Sequence, residues 1–376
     1  MKRAVGKCHL MRRITVLVAI GMTVLSFAGG ALTAPRALAQ GRLPITIGYQ
    51  EKPDWLLFVA RDQKLFEKAG LAPTFVKFVG GPPMIAAMQN GSIDLASVGS
   101  EAFLIGLSQG VDWVMIGINP EGAYSQGLVT RKDSGIKTPA DLRGKRVGLF
   151  KETTAQFGLM MILRQHGLHP NQLTLLDMPP EEQLMALENR KIDAAMTWEP
   201  WIQRMIHEAD GRIVTTEGNV GVYTNVDGYS VRRQWLRDHR ETAKRFLRAL
   251  LMANNVVQKD PTIAIHVWAR ELGIKEAWAQ AIYEDVPPPL IYEWTNPRYT
   301  YSLVKGSPLD RRLGFLATFL FDEKLISQPV DVDNIMDASV IADVLKTRSW
   351  WFSRAEEGFV RAPSLHREIP SCARAN

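Results

Sequence analysis

Cysteine is nearly absent from this chain: of 376 residues, only Cys8 and Cys372 carry a thiol. Two thiols near opposite ends exclude a cysteine-ligated metal site and leave no disulfide framework to staple the fold. The histidines beyond the N-terminal segment (166, 169, 207, 239, 266 and 366) lack the spacing of metal ligands. His166 and His169 stand three apart but straddle Gly167, a predicted helix end, so solvent exposure is expected of both. A serine nucleophile elbow and a phosphate-cradling glycine loop are missing as well. Neither cofactor nor metal is implied, and nothing in the chain reads as bond-making chemistry.

Excess charge is absent too, once the leader is set aside. The formal net charge is +6, but Lys2, Arg3, Lys7, Arg12, Arg13 and Arg36 all lie within residues 1–39, which hold no acid. The remainder carries 39 residues of each sign, which excludes the basic footprint of a nucleic-acid binder. Apolar residues at 46% and charged residues at 22% fit a soluble globular protein.

What is present begins with that leader. "MKRAVGKCHLMRR" is basic, "ITVLVAIGMTVLSFA" is a short apolar core, and "ALA" at 37–39 offers small residues before a cut at Gln40. The three parts read as a cleaved secretory signal peptide, with Met1 or Met11 as the start. The apolar stretch falls short of the ~20 residues that span a bilayer. Cys8 precedes the apolar core and is not placed to carry a lipid, so a Gram-negative periplasm is expected.

The rest of the chain is written twice. "NGSIDLASVGSE" from Asn90 and "NRKIDAAMTWEP" from Asn189 align at an offset of 99, pairing Ile93 with Ile192, Asp94 with Asp193 and Ala96 with Ala195. The first half reads strand 45–50, helix 54–71, strand 72–78, helix 82–91 and strand "IDLASV"; the second reads strand 146–151, helix 154–168, strand 172–178, helix 180–190 and strand "IDAAMT". Both halves leave the first helix through Gly-Leu-x-Pro, at Gly70 and Gly167. Helices alternating with short buried strands predict two α/β lobes, each built on a largely parallel sheet. Open sheets of this kind place their ligand crevice beyond the carboxyl ends of the strands. The differing tails, Gly99-Ser100-Glu101 and Trp198-Glu199-Pro200, are therefore the expected walls of one cleft. Segments 125–135 and 222–233 are expected to carry the two crossings, and helices after Trp235 to pack on the first lobe. The expected division is leader 1–39, lobe one 40–130, lobe two 131–225, a return to lobe one over 226–345, and an unassigned tail 346–376.

The chain resembles the periplasmic binding proteins of ABC importers for sulfonates, taurine and nitrate, with thiamine-precursor binders as cousins. "LFEKAGL" (65–71), "NGSIDLASVGSEA" (90–102), "KTPADLRGKRVGL" (137–149), "ENRKIDAAMTWEPW" (188–201) and "AKRFLRAL" (243–250) carry the likeness in order and spacing over about 43–345. The resemblance implies a type II periplasmic-binding fold, two lobes and two crossover strands closing on a small ligand. It also implies a permease and its ATPase as partners, and a monomer is expected.

Thr153 and Thr154 stand where a strand gives way to a helix, whose unpaired N–H groups and dipole suit an anion. The alternative is a threonine N-cap alone. Family members commonly have Lys-Gly-Ser/Thr here, whereas this chain has Lys151-Glu152-Thr153; that carboxylate is positioned to compete with an anionic ligand. Gly99, Ser100 and Glu101 form the first wall, or a turn and helix cap. Trp198 and Glu199 form the second: Trp198 either covers the ligand or packs in a core, and Glu101 with Glu199 either holds an amine from opposite lobes or is solvated. Gln50 is the ligand-contact residue favoured by position, in a loop that also holds Lys52. Trp55 faces either ligand or core, Asn225 and Tyr229 reach the cleft or pack the hinge, and the "GGPP" of 80–83 turns the chain or offers N–H groups. Nitrate, bicarbonate, sulfonates, pyrimidines and aromatic acids all remain open as ligands. A membrane-docked sensor subunit is one alternative. A desulfinase or thiamine-pyrimidine biosynthetic enzyme on the same fold is the other, disfavoured because Cys372 lies outside the repeated units.

Overall fold

The computed structural model describes residues 41–120, 124–221 and 226–347. The expected signal peptide, Asn225, Cys372 and the tail from 348 lie outside the described residues. The first lobe runs β1 (Leu43–Tyr49), α1 (Trp55–Asp62), α2 (Leu65–Lys68), β2 (Leu71–Lys77), α3 (Gly81–Gln89), β3 (Leu95–Gly99), α4 (Ser100–Ser108) and β4 (Trp113–Pro120). The second follows with β5 (Gln126–Arg131), β6 (Arg146–Leu149), α5 (Thr154–Gln165), β7 (Thr174–Asp177), α6 (Pro180–Glu188), β8 (Ala194–Trp198), α7 (Trp201–Glu208) and β9 (Gly211–Thr216). The chain then returns through β10 (Val226–Arg232) to α8 (Arg233–Asp238), α9 (Arg240–Lys259), α10 (Pro261–Leu272), α11 (Glu276–Asp285), α12 (Pro308–Asp322) and α13 (Ser339–Lys346).

Two five-stranded sheets result, ordered β2-β1-β3-β10-β4 and β7-β6-β8-β5-β9. In each, the fourth place belongs to a strand antiparallel to its neighbours. These two strands, β10 and β5, are the ones delivered by the crossings. The type II periplasmic-binding architecture expected from the sequence is the observed one.

The offset of 99 has a local cause. Asp94 Oδ2 accepts the Thr46 N–H of β1 at 2.8 Å, and Asp193 Oδ2 accepts the Arg146 N–H of β6 at 2.8 Å. Each carboxylate thus bolts its third strand to the start of the first. Ile93 and Ile192, one residue earlier, are fully buried over Gly48 and Gly148. A side chain at either glycine would lie 2.7 and 2.9 Å, respectively, from the isoleucine Cδ1, closer than packed carbons tolerate. The expected helix exits also hold: Gly70 and Gly167 have φ of 84° and 64°, the left-handed region glycine enters at least cost.

Two expectations shift. The predicted helix 54–71 breaks into α1 and α2 at Lys64, whose φ of 54° is left-handed. The lobe boundary expected at 130 falls earlier, because Gln126–Arg131 already pairs with β8 and β9 in the second sheet. The first sheet shares one large core with the C-terminal helices. The second is covered by two small clusters, one around Leu159 and Ile162 of α5, the other around Leu187 of α6 and Met205 of α7.

Candidate functional site

The lobes meet closely. Phe157 of α5 sets its ring edge-on to Phe319 of α12 with centroids 4.9 Å apart. His207 of α7 stacks on Trp278 of α11 at 4.4 Å, and Arg204 donates to the Leu272 carbonyl at 2.8 Å. Between them lies a tight cavity, about 300 Å³ of free space counting its open mouth, lined by Gln50, Lys52, Gly81 and Gly99 of the first lobe, and Thr153, Thr154 and Trp198 of the second. Ala102 and Asp227 complete it.

From the second lobe, the start of α5 is the main donor. Its first N–H groups have no intrahelical acceptor and carry the positive end of the dipole. Thr153 does not cap it with its side chain; the hydroxyl instead donates to the Phe150 carbonyl at 2.6 Å. Thr154 Oγ1 accepts Gln126 Nε2 at 2.7 Å, which leaves the Thr154 proton free to donate. Gly99 lets this helix start approach the first lobe: a Cβ there would stand 3.0 Å from Thr154 Cγ2. Trp198, at the end of β8, closes the same side.

From the first lobe comes a buried ion pair. Lys52, in the loop after β1, meets Asp227 of β10, and the two are 2% and 1% exposed. Neither Lys52 Nζ nor Asp227 Oδ2 has a further hydrogen-bond partner among the described residues, and both residues line the cavity. Behind them Asp54 accepts Ser97 Oγ at 2.7 Å and the Tyr229 hydroxyl. Burial pushes the Asp54 carboxyl up, against the pull of Lys52, and pushes the Tyr229 phenol well up. Gln50 holds its amide loosely, 3.5 Å from the Ser97 carbonyl.

Five of the ten candidate residues line this cavity: Gln50, Gly99, Thr153, Thr154 and Trp198. The others do not. Trp55 is core, its Nε1 donating to the Val286 carbonyl at 2.7 Å and its ring 4.6 Å from that of Trp268. Tyr229 supports Asp54 from behind. Ser100 is buried and donates to Glu101 Oε2 at 3.1 Å. Glu199 is tied to Gln203 by the backbone N–H at 3.3 Å and Nε2 at 3.1 Å, and burial raises its carboxyl to about 7. Neither Glu101 nor Glu199 is among the residues lining this cavity, and the carboxylate that is belongs to Asp227. Its signal was a charged residue inside the otherwise strand-like "VDGYSV", within the predicted crossing 222–233. Glu152 does not compete either. It has φ 58°, the conformation the family's glycine would take without strain, and it lines a different cavity beside Lys151.

The chain belongs to the NMT1-like family, which matches residues 43–270. It is 25% identical over 309 residues to the putative aliphatic sulfonates-binding protein of Bacillus subtilis, covering 81% of this chain and 89% of that one. It is 24% identical over 221 residues to the taurine-binding periplasmic protein of Escherichia coli, covering 58% and 68%. Among solved structures, the alkanesulfonate-binding protein of Xanthomonas axonopodis pv. citri bound to MOPS superposes with a TM-score of 0.68 at 22% identity, covering 78% of this chain and 97% of that one. The desulfurization enzyme DszB shares the fold at a TM-score of 0.60 and 16% identity, covering 81% and 99%.

Proposed function

We propose that this chain is the periplasmic solute-binding component of an ABC importer, and that its ligand is a small zwitterion with an anionic head and an ammonium group. The carrying observation is the Lys52–Asp227 pair on the cavity wall. A simple anion that draws Lys52 toward itself strands a buried carboxylate, an arrangement that costs several kcal/mol. A ligand with both signs gives each member of the pair a new partner and buries no net charge. The head group lies at the start of α5 against Thr153 and Thr154, the ammonium against Asp227, and Trp198 bounds the body. The names of the relatives, sulfonate and taurine binders, support this class. The threonine hydroxyls bond to a carbonyl and an amide, groups that hold a ligand without activating a nucleophile, which supports binding over catalysis. A ligand held from both lobes favours the closed arrangement and presents it to the permease and, through that, to the ATPase.

Calorimetric titration with taurine, ethanesulfonate and ethylammonium tests the reading. Taurine is expected to bind at least tenfold tighter than either fragment; ethanesulfonate binding equally well would sink it. Lys52→Met is expected to lower stability by about 3–5 kcal/mol through the stranded Asp227 and to abolish taurine binding. Adding Asp227→Asn is expected to restore most of the stability and none of the binding, as read by denaturant melts.

A further inference from the structure

A second crevice lies between the lobes, on the other side of Thr153, with about 510 Å³ of free space counting its open mouth. Its floor is buried and mostly apolar, formed by Ile105 of α4, Phe157 of α5 and Leu320 of α12. Glu101 interrupts that floor, with Thr153 and Gln156 as the other uncharged polar lining residues. Glu101 is 1% exposed, and its Oε1 has no hydrogen-bond partner among the described residues, while Ser100 occupies only Oε2. The mouth is exposed and charged, with Lys151 and Glu152 on one side and Lys324 on the other.

We propose that this cavity is a second ligand site, taking an ω-amino acid with its ammonium inward on Glu101, its methylene chain along Ile105, Phe157 and Leu320, and its anionic end outward between Lys151 and Lys324. The buried, half-satisfied carboxyl calls for a donor, and a cationic donor satisfies both its lone pairs and its charge. The apolar floor calls for a chain without polar atoms. At the mouth Lys151 is shared with Asp177, 4.0 Å away, and Lys324 has no ion pair among the described residues, so the mouth favours a negative end over a second ammonium. Both lobes line the cavity, so its occupant favours closure as well. The two cavities share Thr153 in their linings, and Asp227 of the first lies near Glu101 of the second, but the inference does not require the first cavity to bind anything.

Burial raises the Glu101 carboxyl to about 8. The charged groups facing it are Asp227 of β10, Lys151 and Glu152 before α5, and Lys324 after α12, with Ser100 on its own helix. The empty site holds a proton at neutral pH that an ammonium must displace. Affinity therefore climbs with pH, by up to about tenfold per unit between pH 6 and 8.

Calorimetric titration of the full chain with 5-aminovalerate at pH 6, 7 and 8 tests this. The expected event strengthens with pH, loses at least tenfold in affinity and all pH dependence in Glu101→Gln, and weakens severalfold in Lys324→Glu, an exposed position that leaves the fold intact. It persists in Lys52→Met/Asp227→Asn, which disables the first cavity. No binding event in the wild type, an unchanged event in Glu101→Gln, or an event lost with the first cavity but indifferent to Lys324→Glu would each overturn the proposal.

Discussion

The two lobes are the same device finished differently. Up to Ala96 and Ala195 they agree atom for atom in their logic: an aspartate bolts the third strand to the first, an isoleucine beside it fills the space over a glycine, and the strand pairs in the same register (Gly48 with Ala96, Gly148 with Ala195). Three residues further they part. The first lobe ends its strand in Gly99 and lets the other lobe's helix come close, whereas the second ends in Trp198 and keeps bulk in the way. The repeated residues hold the scaffold and the unrepeated ones meet the cavity. Both lobes nonetheless bury a carboxyl at the start of the helix that follows, Glu101 raised to about 8 and Glu199 to about 7.

The largest test of this comparison is the pH dependence of Glu199. Unfolded, its carboxyl loses the proton near 4.5; folded, it keeps it to about 7. The folded state binds more protons in between, so stability falls as pH rises through that window and levels off above it. Glu199→Gln is expected to be near wild type at pH 4 and about 3 kcal/mol more stable at pH 8. Urea melts at the two pH values measure it, and equal shifts at both would remove burial as the cause.

The glycine pair comes next. Gly48→Ala and Gly148→Ala each press a methyl onto an isoleucine Cδ1, and each is expected to destabilise by about 1–3 kcal/mol. The second lobe, with its smaller core clusters, has more freedom to yield, so Gly148→Ala is expected to be the milder. A Gly148→Ala protein that loses more than Gly48→Ala would break the equivalence of the two bolts.

The smallest effect is at Glu152. A non-glycine residue at φ 58° carries ~1 kcal/mol of backbone strain, so Glu152→Gly is expected to stabilise by about that amount in a thermal melt. The backbone N–H of residue 152, which donates to Gln156 Oε1 at 2.7 Å, is kept by glycine, so lower stability would mean that the Glu152 side chain matters more than the strain.

Much of the scaffold was legible because its signals are local. Alternating and 3.6-residue periods, Gly70 and Gly167 as helix exits, and the Asn-x-x-Ile-Asp echo each depend on neighbours in the chain. The helix start at Thr153 and Thr154 was legible for the same reason. Asp227 was not, since its role exists only where β10 lies beside β3 and faces Lys52, some 175 residues earlier in the chain. Trp55 was ambiguous for a related reason: its core partners, Trp268 and Tyr283, arrive more than 200 residues later. That neither Glu101 nor Glu199 lines the first cavity was not legible either, because sequence placed both residues at strand ends without saying which way each would turn.

The crossing strands also order events in time. All five strands of the second sheet lie within one uninterrupted stretch, from Gln126 to Thr216, whereas the first sheet lacks its fourth-place strand until Arg232. Without β10, β4 has no neighbour to pair with in that sheet. A chain emerging from its N-terminus therefore completes its inner lobe first and must hold the outer one open, unfinished, until the return segment appears. The older half of the polypeptide is the younger half of the fold.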